Sequence, residues 1–242
     1  MPYRKEQFVN GEIYHIVLRA LDNNLIFKDE NDYYRGIFSI YEFNNEKPTT
    51  IRERREARVK IKQLLKEQNR GPTSVPDKRN KFVEILSFAF MPNHIHLLVK
   101  QIKDKGITEF MRKVGTGYGG YSNRKYNRKG HVFQNRFFSV HIENEEQLKI
   151  VFVYLHANPA SLIEPNWREK GIKEPEKVIK FLENYKWSSY FDYIGGKNFP
   201  SVTDREFIFK IMGGESGCKE SVDYWIRCKG EIKKFPELSL EN

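Results

Sequence analysis

Hydrophobic and polar positions fall into segments of two different periods along the chain. Residues 11–20, GEIYHIVLRA, alternate β-branched and aromatic positions and predict a strand with His15, Val17 and Arg19 on one face. After the loop DNNLIFKDEND, Glu30 to Phe43 carries Tyr, Ile and Phe in a helical pattern. Residues 51–69 form a charge-laced helical pattern that GPTSVPD breaks, so the stretch of about 45–80 reads as a helical insertion. FVEILSFAF, 82–90, predicts a strand, MPN a turn, and HIHLLVKQI a second strand that pairs with the first as an antiparallel hairpin. The run 106–126 starts as a helix, with Phe110 and Val114 at helical spacing, and GTGYGG then predicts an interruption. HVFQNRFFSVHI, 131–142, reads as a strand. From Asn144, with Gln147 as its capping-box partner, a helix is predicted to end near Pro159.

With the insertion set aside, the order is strand, helix, two strands, helix, strand, helix. The expected class is α+β: a ferredoxin-like (RRM-like) antiparallel sheet built from the first six elements. The last helix is additional and must cover the face that the sheet leaves open. Residues 1–160 are expected to form this core. Residues 161–242, with Trp and Tyr among loops and short helices, read as a C-terminal extension packed on it.

Composition narrows the classes further. With 39% hydrophobic and 31% charged residues, the chain suits a globular protein, and no apolar run approaches the ~20 residues of a membrane span. The opening MPYRKEQFVNGEIYH lacks the apolar centre of a signal peptide. Cys218 and Cys228 are too few for a disulfide framework or a structural zinc cluster, so a cytoplasmic protein is expected. Forty-two Lys and Arg against 32 Asp and Glu leave a net charge of +10. That excess favours polyanionic partners, because each neutralised phosphate releases counterions.

Side chains alternate across a strand, so His94 and His96 project from one face while Ile95, Leu97 and Val99 project into the core. Two imidazoles so spaced can chelate one metal ion or grip one phosphate. A partly wet sheet surface would account for them equally well, and H-x-H alone does not decide. In EEQLKIVFVYLHANPASL, Leu148, Val151, Phe152 and Leu155 form the buried stripe of a helix. Tyr154 and Asn158, four apart, stand one above the other on its flank. An Asn158 amide oxygen could complete a metal site, with the Tyr154 phenol beside the same ion. Read singly, Tyr154 is an ordinary tyrosine at a core edge and Asn158 a polar cap before Pro159. His156 points away from Tyr154 around the helix.

The ordered strings FMPNHIHLLV, GHVFQNRFFS, YLHANPASL and WSSYFDYIG, with a basic aromatic segment after the first, resemble the REP-associated tyrosine transposases. These belong to the single-tyrosine HUH transposase superfamily, and the likeness spans roughly residues 8–195. It implies a ferredoxin-like nuclease fold that cuts and rejoins single-stranded DNA near hairpins through a 5′-phosphotyrosine. The same resemblance implies His94, His96 and Asn158 as ligands of Mg²⁺ or Mn²⁺ and Tyr154 as nucleophile, in a monomer or a homodimer. From the residues themselves, Arg112, Lys113, Arg124, Lys125, Arg128, Lys129 and Arg136 can track phosphates, with Tyr121 among the rings that stack on bases. Arg19 and His15, facing the same way on the first strand, are further expected DNA contacts. A non-catalytic binder of hairpin DNA or RNA, and a metal-dependent phosphodiesterase that uses water, are the alternatives.

Overall fold

The computed structural model describes residues 7–48, 77, 79–134 and 136–228. The helical pattern expected over 51–69 and the end of the C-terminal tail lie outside the described residues. In chain order, β1 is Ile13–Arg19, α1 Glu30–Glu42, β2 Val83–Met91, β3 His94–Gln101, α2 Gly106–Lys125, β4 Phe138–Ile142 and α3 Glu145–Ala157. Then come α4 Trp167–Lys170, α5 Pro175–Glu183, α6 Tyr190–Tyr193, α7 Glu206–Met212 and α8 Gly214–Arg227.

The strands form one sheet in the order β2-β3-β1-β4, with each neighbouring pair antiparallel. Taken with the helix order, this is the ferredoxin-like arrangement that the pattern predicts. Tyr14, Ile16, Leu18, Ile95, Leu97 and Val99 enter a core with Ile37 and Ile40 of α1 and Phe110 and Val114 of α2. The opposite face is covered by α3 and the C-terminal helices. Ala89, Leu98 and Ile142 pack there with Val151, Phe152 and Leu155, and then with Trp167, Val178, Tyr193, Ile208 and Ile226.

Caps fix the helix starts where the sequence places them. Asp29 accepts from the Asp32 backbone N–H and opens α1 with a reciprocal capping box. Asn144 accepts from the Gln147 N–H at 2.8 Å, while the Gln147 side chain reaches back to the Glu143 N–H, one residue beyond the expected partner. α3 ends at Ala157 and tightens into a 3₁₀ turn over Asn158–Leu162, which accommodates Pro159.

Two expectations are corrected. α2 runs unbroken through GTGYGG to Lys125. Each helical glycine costs about 1 kcal/mol against alanine, and burial of Ile107, Phe110, Met111, Val114 and Tyr118 outweighs that. The strand expected over 131–142 is only Phe138–Ile142, with Phe133 making an isolated bridge to Ala20.

Candidate active site

Register aligns the polar residues of one face. Arg19 lies opposite His94 and Val17 opposite His96, while on the other side of β3, Met91 faces His94 and Ala89 faces His96. The tight turn between β2 and β3 is held from outside. Ala20 N–H donates to the Asn93 carbonyl, and Ile26 and Phe27 N–H both donate to the Pro92 carbonyl, all at 2.8–3.0 Å. A clamped turn gives His94, the first residue of β3, a fixed place.

α3 crosses this face and brings Tyr154 and Asn158 to the histidines. His94 Nε2 and His96 Nε2 are 3.0 Å apart, and the Asn158 amide nitrogen is 2.8 Å from His96 Nε2. The Tyr154 ring stands nearly perpendicular to that of His96, with centroids 6.1 Å apart. His96 and Asn158 are wholly buried, whereas His94 and Tyr154 each keep 7% of their surface. The cluster therefore meets solvent on the side of His94 and Tyr154. Burial pulls the Arg19 guanidinium below its ordinary range, and nearby Tyr154 opposes that shift. At physiological pH the guanidinium stays charged.

A second polar layer lies behind the first. His94 Nδ1 is 2.7 Å from Asn93 Oδ1, and His96 Nδ1 is 3.0 Å from His15 Nε2. The His15 and His96 rings stack with centroids 5.2 Å apart, and the His15 ring meets Tyr154 edge-on at 6.2 Å. Burial pushes His15 well below the usual histidine range, reinforced by His96 and His94, so it is neutral. Strand alternation places His15 on this face, but the expected DNA contact is corrected: His15 is wholly buried behind His96. That pairing follows only from the β1–β3 register.

The donor set fits one divalent ion. Two ligands each ~2.1 Å from a metal and at right angles are about 3.0 Å apart, the separation of the two Nε2 atoms. A half-turn of the nearly isosteric Asn158 amide would present its oxygen in place of its nitrogen. Among the described residues no group of three or more His, Cys, Asp and Glu is arranged for a metal, so two imidazoles and an amide are the candidate set.

The residues expected to meet nucleic acid separate into two groups. Lys125 donates to Asp29 and Asp32 at 2.6–2.7 Å, and Tyr121 Oη donates to Asp32 at 3.0 Å. Arg112 pairs with Glu109, and Lys113 donates to the carbonyls of Asn45 and Glu46. Lys125, Tyr121 and Lys113 tie α2 to other helices and loops, whereas the Arg112 pair is exposed and internal to α2. Arg124, Lys129 and Arg136 are exposed and Arg128 is half-buried, in and after the C-terminal turn of α2. Tyr118, another aromatic of α2, is buried and donates to the Ile26 carbonyl.

Residues 77–158, which contain His94, His96, Tyr154 and Asn158, match the family model described as IS200-like transposase. The motif resemblance to tyrosine transposases agrees with that match. No curated protein matches the chain. One similar solved structure is a REP-associated tyrosine transposase bound to a REP hairpin, with TM-score 0.49 and 13% identity over 85% of this chain and 96% of that one. Another, a Deinococcus radiodurans R1 protein described provisionally as a transposase, gives TM-score 0.32 and 11% identity over 62% of this chain and 93% of that one.

Proposed function

We propose that this chain is a transposase that cuts and rejoins single-stranded DNA near hairpins, with Tyr154 as its nucleophile and a divalent ion at His94, His96 and Asn158. The observation that carries the reading is the meeting of Tyr154, His96 and Asn158 on one face of the sheet, with His94 beside them. The family match over residues 77–158 and the ordered motifs support the same reading. Mg²⁺ and Mn²⁺ both suit two imidazoles and an amide oxygen, with nitrogen favouring Mn²⁺. When bound, such an ion offsets the charge of a non-bridging phosphate oxygen and orients the phosphate for in-line displacement.

The chain's own residues supply the rest. A free phenol with pKa ~10 is about 0.1% ionised at pH 7, and forming the phenolate there costs about 4 kcal/mol. Arg19, electrostatically coupled to Tyr154, favours the ionised form. The Tyr154 oxygen forms a bond to phosphorus as the bond from phosphorus to the 3′ oxygen breaks. The phenol loses its proton, and the departing 3′ oxygen gains one. The product is a 5′-phosphotyrosine and a free 3′-OH, and the covalent link lets another 3′-OH reverse the step without ATP. The exposed cations in and after the C-terminal turn of α2 provide contacts for the strand's phosphates.

The test incubates the full chain with Mn²⁺ and labelled single-stranded hairpin oligonucleotides, then resolves the products on denaturing gels. A covalent protein–DNA adduct is expected, and Tyr154→Phe should abolish it while affinity persists. Strand cleavage that survives Tyr154→Phe would assign the nucleophile to water. Binding with no cleavage in any variant would leave a pure DNA-binding protein.

A further inference from the structure

His15 occupies a costly position for an imidazole. It is wholly buried on β1 between Ile13 and Val17 of the same face, where an apolar side chain would satisfy packing alone. Burying a polar group costs free energy unless it is hydrogen-bonded. Among the described residues His15 Nδ1 has no hydrogen-bond partner. Its other nitrogen, Nε2, makes one contact, 3.0 Å to His96 Nδ1. A residue kept for packing would not bring an orphaned nitrogen into the core.

The contact has a consequence for His96. A neutral imidazole carries one proton and one lone pair, and the partner of one nitrogen decides what the other presents. An acceptor at Nδ1 holds the proton there and leaves Nε2 with its lone pair facing outward. Asn93 provides such an acceptor for His94, through Oδ1 at 2.7 Å. A neutral His15 can provide it for His96 through the Nε2 lone pair.

We propose that His15 is a positioning residue: it accepts the His96 Nδ1–H in a hydrogen bond, fixes that ring, and turns the His96 Nε2 lone pair toward the ion site. The proposal rests on the metal reading given above and adds a residue to it. His15 touches neither substrate nor ion and acts only through His96.

The experiment compares the native chain with His15→Phe, which keeps a ring without an acceptor, and His15→Gln, whose amide oxygen can accept. Mn²⁺ affinity is measured by electron paramagnetic resonance. Imidazole nitrogen–proton correlation spectra of the metal-free full chain show which His96 nitrogen carries the proton. The native chain should hold it on Nδ1. His15→Phe should weaken Mn²⁺ binding by about 10-fold or more, the usual effect of losing such a partner, and His15→Gln should recover most of it. Equal Mn²⁺ affinity in the native chain and His15→Phe would overturn the proposal alone. So would a native spectrum with the proton on Nε2, a result that stands even if His15→Phe folds poorly. Failure of the native chain to bind Mn²⁺ would overturn the metal reading, and the native spectrum would still decide the role of His15.

Discussion

His156 lies two residues from Tyr154 and belongs to different surroundings. Its Nε2 is 2.8 Å from Ser189 Oγ, and its ring packs against Phe152 at 4.3 Å and Tyr190 at 5.5 Å. Complete burial pushes its pKa down to about 3. The unfolded chain binds this proton near pH ~6.5, so between the two values the unfolded state holds more protons than the folded one. The contribution to stability is therefore fully present above ~6.5 and is lost as pH falls toward 3, by up to ~1.4 kcal/mol per unit. Urea unfolding at pH 7 and pH 5 should show a loss of about 2 kcal/mol from this group, and His156→Gln should flatten the profile by that amount. An unchanged slope in His156→Gln would contradict the assignment. That His156 faces away from Tyr154 was legible from helical spacing alone. The common face of His94 and His96 was equally legible from strand alternation. The His15–His96 and Asn93–His94 bonds were not, because one needs strand register and the other a turn conformation that apolar patterning does not encode.

Within α2 the glycines have distinct positions. A Cβ built on Gly115 meets nothing within 4 Å, whereas one on Gly117 would enter the Phe43 ring. Phe43 is the C-cap of α1, so at Gly117 α2 approaches the end of α1 closely. Gly115→Ala should stabilise the chain by about 0.5–1 kcal/mol through helix propensity. Gly117→Ala should destabilise it, because a rigid aromatic ring and two packed helices must move apart. Thermal melts of the two variants should shift in opposite directions, and a Gly117→Ala melt at or above the native one would refute the close approach. From sequence, GTGYGG looked like a helix breaker because propensity was the only visible quantity. Burial of Tyr118 and the contact of Gly117 with α1 are tertiary facts. The same holds for Lys125 and Tyr121, whose bonds to Asp32 join the end of α2 to the start of α1. Basic and aromatic letters alone cannot separate a DNA-facing side chain from one bonded to a buried carboxylate.

Across the whole molecule, α3 is a middle layer. One side rests on the sheet, and another is covered by a cluster that continues through Trp167, Val178, Leu182, Tyr190 and Tyr193 to Val222 and Ile226. The segment 185–193 also runs along the outer edge of β2. Phe90 N–H donates to the Trp187 carbonyl at 2.8 Å, Ser189 N–H to the Phe88 carbonyl at 2.9 Å, and Tyr185 Oη to the Phe90 carbonyl at 2.7 Å. Only one bridge, Ala89 to Ser188, meets strand criteria, which explains why WSSYFDYIG has no strand period to read. The sequence suggested a C-terminal extension packed on the core. In the packing the extension supplies half of the second core and covers a sheet edge, and an uncovered edge is a template for aggregation. It also holds the helix that carries Tyr154, through the His156–Ser189 bond. A chain cut after residue 163 should therefore expose Phe152, Leu155 and the β2 edge together. Such a chain should be insoluble or melt without a cooperative transition, while residues 1–228 unfold in a single one. A soluble 1–163 fragment with a cooperative melt would show that the first 160 residues suffice for folding, and the tyrosine helix would then owe its position to the sheet alone.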